Sequence, residues 1–406
     1  MITPIMPVYN RANLSFERGE GPYLYTSDSK RYLDFAAGIA VNAFGHAHPY
    51  LVEKLHEQAK KLWHVSNIFR IPEGERLAQR LCDLTFADTV FFNNSGSEAW
   101  ECGIKVIRKY FTHIGQPQKT RFITFQGCFH GRSMTGIAAS KTEKMVGGFG
   151  PLIDMFDQVP WDDLDAVRNA ITPETACIHI EVVQGEGGMR AATPEFMHGL
   201  KKLCDEHGLL LYFDEIQCGM GRTGKLFAYE WYDITPDVVC VAKGIGGGFP
   251  LGACLASEKA ASGMQPGTHG STYGGNPLAM AVGNAVLDLF EDGNVLKQVN
   301  RVGAYLWKRF DELIDEFPKL FTTNAAPMFN EHRGKNFMQG LRCINPDDNL
   351  KLVAKLRDNG LLCVGASDQV VRFLPPLIIE EKHVDEAMTI IKQTITEYIK
   401  PRDAAE

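Results

Sequence analysis

The chain has 406 residues, which is enough for two or three packed units at about 150 residues each. Hydrophobic residues make up 45% of it and charged residues 22%, a balance that excludes intrinsic disorder as the main state. The 49 acidic residues outnumber the 42 lysines and arginines, and the formal net charge is −7. Because the sequence also has no dense basic run, we expect no nucleic-acid partner.

The cysteines and the N-terminus both indicate a cytosolic protein. Ten cysteines are scattered along the chain without a C-x-x-C pair, which is typical of free thiols in a reducing compartment. The opening sequence MITPIMPVYN has no basic leader, and no apolar run reaches the roughly 18 residues of a membrane span. We therefore expect no membrane partner. His46 and His48 lack a third ligand at a recognised spacing, so we also expect no metal site.

Alternating strand-like and helix-like segments predict an α/β fold with a mainly parallel sheet. After an irregular opening, apolar spacing predicts helices over 48–63 and 72–86, each with a proline near its start. Helical patterns follow at 95–111 and 193–207. Short β-branched or aromatic runs predict six buried central strands, at 89–93, 121–125, 176–181, 209–215, 237–243 and 251–256.

The predicted secondary structure changes in the last third of the sequence. The chain turns helical from Asn276, and its end is mixed, with a predicted helix at 349–359, a strand at 369–374 and a final helix at about 383–399. We therefore predict a boundary near Asn294 between a large α/β domain and a smaller C-terminal domain.

Two predicted strands run directly into polar residues at the edge of the sheet where ligands bind in open α/β folds. LLLYF leads into Asp214 and Glu215; such an acid is either a solvated loop residue or a carboxylate that keeps a cofactor nitrogen protonated. DVVCVA leads into Lys243, which either reaches out to water or, when desolvated beside a carbonyl cofactor, forms a Schiff base.

Two glycine-rich turns before helices are candidate phosphate sites. In NNSGSEA at 93–99, the free N–H groups of Gly96 and Ser97 would face an anion, although an ordinary serine cap explains the same pattern. HGSTYGGNP at 269–277 is a second hydroxyl-rich turn. Phe129, in CFHGR, follows a strand and could stack on a planar ring, although a single phenylalanine is more often part of the core.

Other residues suggest carboxylate binding or a different cofactor. Arg132 and Arg372 are candidates for gripping carboxylates, while Glu186 lies among glycines and could equally be a surface acid. GMGRTG at 219–224 matches the dinucleotide pattern G-x-G-x-x-G and would make the protein a nicotinamide-dependent oxidoreductase. That alternative is weak, because DEIQC separates the motif from its strand and no clear helix follows.

Five blocks in this order, SGSEA, FHGR, DEIQCGMGRTG, AKGIGGGFPLGA and HGSTYGGNPLA, resemble the signatures of class III aminotransferases, which are pyridoxal-phosphate enzymes of fold type I. The resemblance runs from about Asn10 to the C-terminus, and GIAVNAFGHAHP and LWHVSNIF are most similar to the branch acting on N2-acetyl-L-ornithine. It implies a large domain at 65–293 with a mainly parallel seven-stranded sheet, a smaller α+β domain at 294–406, and a segment at 1–64 that packs with the small domain.

The resemblance also implies an active site built on pyridoxal phosphate. Lys243 would form the imine and carry the proton during the reaction, and Asp214 would pair with the ring nitrogen. The implied cofactor-binding set is Gly96, Ser97, Phe129, Asp214, Glu215, Ile216, Gln217, Lys243 and Thr272. Thr272 would come from the partner subunit, so the resemblance implies a homodimer with shared active sites.

The implied reaction transfers the ω-amino group of N2-acetyl-L-ornithine to 2-oxoglutarate, a step of arginine biosynthesis. Arg132, helped by Ser271, would hold the distant carboxylate of the donor. Arg372 would hold the acceptor carboxylate next to the reacting carbon, and Glu186 would pair with it whenever the donor is bound.

Several alternatives to this assignment stay open. Relatives acting on succinylornithine, succinyl-diaminopimelate, ornithine or 4-aminobutyrate share these residues, and a binding protein without catalysis would keep the fold. Ser97 and Cys218 stand where the family more often has threonine. Trp100 is bulkier than the usual residue, and we expect it to narrow the pocket.

Overall fold

The computed structural model describes residues 4–320 and 329–403. The strands are β1 Arg18–Glu20, β2 Tyr23–Tyr25, β3 Arg31–Asp34, β4 Thr89–Asn93, β5 Arg121–Phe125, β6 Phe156–Val159, β7 Thr175–Glu181, β8 Val183–Gln184, β9 Arg190–Ala191, β10 Leu210–Asp214, β11 Val238–Val241, β12 Gly252–Ala256, β13 Phe329–Lys335, β14 Met338–Cys343, β15 Leu361–Leu362, β16 Val364–Ala366 and β17 Val370–Phe373.

The helices are α1 Ala37–Ala40, α2 Pro49–Ala59, α3 Pro72–Leu84, α4 Gly96–His113, α5 Met134–Ser140, α6 Glu143–Val146, α7 Leu164–Ala170, α8 Pro194–His207, α9 Glu258–Ala261, α10 Pro277–Asp288, α11 Asn294–Leu320, α12 Asp348–Asp358 and α13 Glu381–Asp403. Short 3₁₀ turns occupy Ala228–Tyr232 and Lys243–Gly246. Across these described parts, no helix is both long and apolar enough to cross a membrane.

The central sheet has seven strands in the order β4-β12-β11-β10-β7-β5-β6. Only β12 runs antiparallel to its neighbours, so the prediction of a mainly parallel seven-stranded sheet is confirmed. Every residue of β7, β10, β11 and β12 is buried, as expected for strands covered on both faces. The six predicted strands are all present. The seventh, β6, was missed because two polar residues interrupt its sequence FDQV, so it forms no apolar run.

The predicted helices are present with shifted ends. Helix α8 begins at Pro194, and the Thr193 hydroxyl accepts a hydrogen bond from Phe196 N at 3.2 Å, which confirms the expected cap. Helix α2 ends at Ala59, four residues before the predicted end, and Trp63 Nε1 donates to the Ala59 carbonyl at 2.7 Å. Because that indole satisfies a terminal carbonyl, the chain can leave the helix early.

The predicted irregular opening is correct only for residues 4–17, which contain no helix or strand, and is wrong from β1 onward. Strands β1, β2 and β3 form an antiparallel ribbon, and β3 pairs in parallel with β15 near the other end of the chain. Helix α2 packs instead on α10, where Tyr50 donates to Asp288 at 2.8 Å. The N-terminal segment thus contacts both the C-terminal part and the helices beside the central sheet. The division at 64/65 and 293/294 stays a prediction.

A second sheet in the C-terminal part carries Arg372. Its strands run antiparallel in the order β13-β14-β17-β16, and Arg372 lies on the interior strand β17, paired with Gly340 and Val364. The hairpin of β13 and β14 was not predicted from the sequence. Because β17 is buried along its length, the Arg372 backbone is fixed by pairing on both sides.

Candidate active site

A cavity of about 350 Å³ opens beyond the carboxyl ends of the parallel strands. Residues that follow β4, β5, β7, β10 and β11 line it, because parallel strands end at one shared edge. The lining residues are Val41, Asn94, Ser95, Gly96, Ser97, Phe129, His130, Gly131, Glu181, Val183, Asp214, Ile216, Gln217, Cys218, Ala242, Lys243, Gly248, Phe249, Pro250 and Leu251. Seven of the predicted cofactor residues are therefore brought together: Gly96, Ser97, Phe129, Asp214, Ile216, Gln217 and Lys243.

Lys243 follows β11 and begins a short 3₁₀ turn in the left-handed region, with φ of 51°. That conformation is costly for a residue with a side chain and is found most often at functional sites. Burial, helped by the nearby Arg372 cation and opposed by Asp214, lowers the pKa of Lys243 to about 8. About a tenth of this amine is therefore uncharged and nucleophilic at pH 7, far more than for an ordinary lysine.

Asp214 ends β10 and is buried, with both carboxylate oxygens engaged. Ile216 N donates to Oδ1 at 3.0 Å, and His130 Nδ1 lies 2.8 Å from Oδ2. Burial opposes a charge on His130, but Cys128 and the Asp214 carboxylate outweigh it and hold the pKa of His130 well above its usual range. This carboxylate is therefore held in one orientation by a contact at each oxygen.

The start of helix α4, with Gly96 and Ser97, forms one side of the cavity. Ser95 caps the helix by accepting from Glu98 N at 3.3 Å, and Glu98 in turn accepts from Asn94 N at 2.6 Å. The free N–H groups of the first turn, at Gly96 and Ser97, are suited to bind an anion. The serine cap and the anion site are therefore compatible features of one helix start.

Arg372 lies beside the cavity behind Gln217. Its Nη1 donates to Gln217 Oε1 at 3.0 Å, and its Nη2 donates to Glu186 Oε1 at 2.8 Å. The Arg372 side chain is 2% exposed and that of Glu186 is 36% exposed, so Glu186 can move toward solvent while the arginine stays in place. The ion pair is thus buried on one side only.

The remaining predicted site residues lie outside the cavity lining formed by the described residues. Glu215 points into the fold, where it accepts hydrogen bonds from Ala228 N and Tyr229 N, and burial raises its pKa to about 7. Arg132 is exposed, and its guanidinium lies over the Phe129 ring at 5.7 Å.

Ser271 and Thr272 lie on the turn before α10. The Ser271 hydroxyl accepts from Gly274 N at 2.9 Å and contacts Asn94 Nδ2 at 3.3 Å, while the Thr272 side chain is exposed. Asn67 Nδ2 donates to the carbonyls of Ser271 and Gly274, at 3.1 and 2.8 Å. The turn is therefore held at the mouth of the site by a different segment of the chain.

Sequence reasoning missed His130 and Glu181, although both line the cavity. His130 lies within CFHGR, between the two residues that were singled out there. Glu181 ends β7 just as Asp214 ends β10, and the same strand-end signal could have found it. Glu181 accepts from Phe129 N at 3.0 Å, and burial raises its pKa to about 7.

The expectation that Trp100 narrows the pocket is wrong. Trp100 is fully buried, and its indole stacks on His130 with ring centres 5.4 Å apart and planes 6° from parallel. His130 lines the cavity and Trp100 does not, so the indole lies behind the wall of the site.

The motif GMGRTG does not form a dinucleotide site. It is a buried loop that opens no α-helix, and Arg222 within it donates to the carbonyls of Phe337 and Pro375 at 3.1 and 2.7 Å. The motif therefore ties the loop after β10 to the C-terminal part of the chain. A nicotinamide cofactor would need its phosphates at a helix start here, and this loop does not supply one.

The described geometry places a lysine, a carboxylate and a helix N-terminus around one cavity. A family model described as aminotransferase class-III matches residues 6–395. The chain belongs to this family. The resemblance of the five sequence blocks is confirmed, and so is the fold that it implied.

Curated relatives of this aminotransferase family cover nearly the whole chain. The acetylornithine aminotransferase of Brucella melitensis is 52% identical over 394 residues, which are 97% of this chain and 95% of the relative. The acetylornithine aminotransferase of Rhodobacter capsulatus is 54% identical over 388 residues, which are 96% of each protein.

Solved structures are similar in fold at lower identity. The N-acetylornithine aminotransferase from Stenotrophomonas maltophilia has a TM-score of 0.83 and 35% identity, covering 97% of this chain and 98% of that one. The ornithine aminotransferase from Toxoplasma gondii has a TM-score of 0.90 and 30% identity, covering 97% and 93%. Its structure is described with partial occupancy of pyridoxal phosphate at the active site.

Class III aminotransferases depend on pyridoxal phosphate, and the residues of this cavity fit that cofactor. Lys243 supplies an amine of lowered pKa, Asp214 an oriented carboxylate, and the start of α4 an anion site. The loop after β5 lies close to that helix start at Gly131, which has φ of 103°, and a Cβ there would displace the Ser97 hydroxyl.

Proposed function

We propose that this protein transfers the ω-amino group of N2-acetyl-L-ornithine to 2-oxoglutarate, giving N-acetyl-L-glutamate 5-semialdehyde and L-glutamate, a step of arginine biosynthesis. The observation that carries the proposal is that Lys243 and Asp214 face one cavity, with the ion pair of Arg372 and Glu186 beside it. The two relatives at 52% and 54% identity, both named acetylornithine aminotransferases, support the choice of donor.

Pyridoxal phosphate, when bound, supplies an aldehyde for the amine and a ring that takes up the electrons released at the reacting carbon. Lys243 would react as the uncharged amine and would later move the proton at the reacting carbon, for which a pKa of about 8 is well placed. Asp214 would hold the proton on the ring nitrogen, since a nearby anion favours the charged form of that nitrogen. Phe129 and Gln217 would orient the ring, and Gly96 and Ser97 would bind the phosphate.

The Arg372 and Glu186 pair lets one site accept two different substrates. The donor has no carboxylate beside its reacting amine, so Arg372 stays paired with Glu186 and no buried cation is left alone. The acceptor brings a carboxylate beside its reacting carbon, which replaces Glu186 on the guanidinium. Arg132, which follows the cavity residue Gly131, would hold the distant carboxylate of either substrate with help from Ser271.

We also propose a homodimer in which Thr272 of the partner subunit completes the phosphate site. Four large apolar side chains are exposed between residues 62 and 69: Leu62, Trp63, Ile68 and Phe69. His64 in the same segment contacts the Tyr273 ring, so this surface adjoins the turn that carries Thr272. A surface of this kind next to a site is typical of a subunit interface.

We further propose that the enzyme works in the cytoplasm. All ten cysteines are free thiols, and nine of them are buried. A cytosolic compartment keeps such thiols reduced. Fractionation of cells that express a tagged chain would show which compartment contains the protein. Recovery outside the cytosolic fraction would contradict this location.

The main alternative is another ω-amine donor within the same family. The ornithine aminotransferase of Toxoplasma gondii has a similar fold, and a Photorhabdus laumondii relative, 42% identical, is named acetylornithine/succinyldiaminopimelate aminotransferase. These names make ornithine and succinyl-diaminopimelate the first donors to compare, followed by succinylornithine and 4-aminobutyrate.

The test has two parts. The purified protein should be yellow, and reduction with borohydride should leave a cofactor adduct on Lys243 by peptide mass, while Lys243→Ala should carry no adduct. Initial rates with each donor and 2-oxoglutarate should then be highest for N2-acetyl-L-ornithine. A colourless protein without an adduct would contradict the enzyme class, and faster turnover of free ornithine or 4-aminobutyrate would contradict the substrate.

A further inference from the structure

Two fully buried polar residues, Trp100 and His179, lie behind the wall of the site and have no part in the reaction as proposed. Trp100 Nε1 donates to His179 Nε2 at 2.6 Å, and His179 Nδ1 lies 3.0 Å from the Tyr212 carbonyl. An indole N–H can only donate and a carbonyl can only accept. His179 therefore carries its proton on Nδ1 and keeps a lone pair on Nε2, and it has a single neutral tautomer.

The same Nε2 atom of His179 also lies near His130. His179 Nε2 is 3.3 Å from His130 Nδ1, which is also 2.8 Å from Asp214 Oδ2. His130 Nδ1 thus faces two acceptors and must keep its proton. The stacked indole of Trp100 holds the plane of the same imidazole ring.

We propose that Trp100 and His179 are positioning residues for Asp214: the indole N–H occupies the lone pair of His179, so the Nδ1 proton of His130 goes to the Asp214 carboxylate and holds it in one orientation toward the cavity. The inference rests on the proposed function, in which Asp214 keeps the ring nitrogen of the cofactor protonated. Neither residue touches the cofactor or the substrate, and both act through His130.

The same side chains could be read as a metal site, because ligand atoms of His130, His179 and Asp214 lie within 4.8 Å of one another. The hydrogen bonds argue against this. The Trp100 N–H faces one nitrogen of His179 and the Tyr212 carbonyl faces the other, so His179 offers no free ligand atom.

Removal of the indole N–H should weaken this arrangement. The Tyr212 carbonyl would still hold the His179 proton on Nδ1, so the Nε2 lone pair would be free to accept the Nδ1 proton of His130. Asp214 would then lose its hydrogen bond from His130 and its fixed orientation. A carboxylate that is held less firmly stabilises the ring-nitrogen proton less, and the positive charge of that ring is what lowers the pKa of the lysine linkage to the cofactor.

The main variant is Trp100→Phe, which keeps an aromatic ring against His130 but removes the donor. We expect the pH midpoint of the visible absorption of the bound cofactor to rise by about one unit. Cofactor content and melting temperature should stay close to those of the unaltered holoenzyme. The matched control is Trp231→Phe, which removes an indole N–H bonded to the Thr223 carbonyl at 3.0 Å outside the cavity and should leave the midpoint unchanged.

Variants at His179 separate hydrogen bonding from packing. His179→Leu removes the competing lone pair, so it should leave the midpoint near that of the unaltered protein, and in the double variant it should cancel the rise caused by Trp100→Phe. His179→Gln can accept from the indole and donate to the Tyr212 carbonyl, and it should also keep a midpoint near that of the unaltered protein.

Three results would overturn the inference: an unchanged midpoint in folded, yellow Trp100→Phe; a midpoint in the double variant that stays as high as in Trp100→Phe; or stoichiometric metal in the unaltered protein that is lost in His179→Leu. A different failure would concern the proposed function itself. In that case the unaltered protein would show no visible band and no borohydride adduct, and no midpoint could be measured in any variant.

Discussion

At the scale of single residues, the strongest electrostatic constraint is on Arg372. Its guanidinium is buried, Glu186 supplies its counter-charge at 2.8 Å, and Gln217 supplies a neutral acceptor at 3.0 Å. Its Nε has no hydrogen-bond partner among the described residues. A buried cation that loses its anion costs several kcal/mol, so Glu186 should matter most when no substrate carboxylate takes its place.

We predict that Glu186→Gln affects the two half-reactions differently. The half-reaction with the ω-amine donor should slow about tenfold, or about 1.4 kcal/mol, because Arg372 then has no counter-charge. The half-reaction with 2-oxoglutarate should be unchanged or faster, because no glutamate has to be displaced. Single-turnover absorbance after rapid mixing would measure both.

A matched control for this prediction is Glu331→Gln, which removes the anion of an ion pair with Arg333 at 2.6 Å outside the cavity. It should leave both half-reactions unchanged. Equal slowing of the two half-reactions in Glu186→Gln would show that Glu186 does not distinguish donor from acceptor.

At the scale of elements, the site depends on the loop after β5 lying close to the start of α4. Gly131 in this loop has φ of 103°, and a Cβ at this position would clash with Ser97 Oγ. The backbone conformation therefore favours glycine, and a side chain here would also force the Ser97 hydroxyl to turn away. Neither the conformation nor the neighbour can be derived from FHGR alone.

We predict that Gly131→Ala weakens binding of pyridoxal phosphate at least about tenfold, since it displaces Ser97 from the anion site. Gly115→Ala is the matched control: Gly115 also has positive φ, at 77°, but a Cβ there meets nothing within 4 Å. Both variants should lose about 1–2 kcal/mol of stability through backbone strain. Titration of the apoprotein with the cofactor would separate them, and equal affinities would refute a role for this approach.

The elements that could be predicted are those whose signal is local. β10 and β11 are continuous apolar runs and were placed within one or two residues, and Thr193 with Pro194 marked the start of α8. β1 to β3 and β15 are only two to four residues long, and their pairing joins opposite ends of the chain. Such strands are stabilised by their distant partners, and no short sequence window contains that information.

At the scale of the whole molecule, the surface formed by Leu62, Trp63, Ile68, Phe69 and Tyr273 lies beside the mouth of the site. Phe69 is 61% exposed and Ile68 is 82% exposed, which is costly for side chains of this size in water. We expect a second copy of the chain to cover this surface. Binding of the cofactor phosphate should therefore depend on formation of the dimer.

We predict that Phe69→Glu shifts the protein from dimer toward monomer and reduces cofactor retention, because a charge would be buried at the interface. Leu350→Glu is the control, since Leu350 is 59% exposed on α12, far along the chain from this surface. Sedimentation velocity with absorbance detection would follow mass and cofactor together. A Phe69→Glu protein that stays dimeric, or a chain that is monomeric before substitution, would contradict the proposed interface.

The sequence by itself determined the parallel sheet, the family and the principal chemistry, because each depends on local patterns. An apolar strand that ends in Asp214 or Lys243 places that residue at a shared edge, whatever the rest of the chain does. Only the tertiary structure decided how these groups are supported. Trp100, His130 and His179 come from three separate segments, and the hydrogen bonds that join them to Asp214 are made only when these segments pack together. A buried polar group needs a partner in space rather than in sequence, so these contacts follow from packing alone.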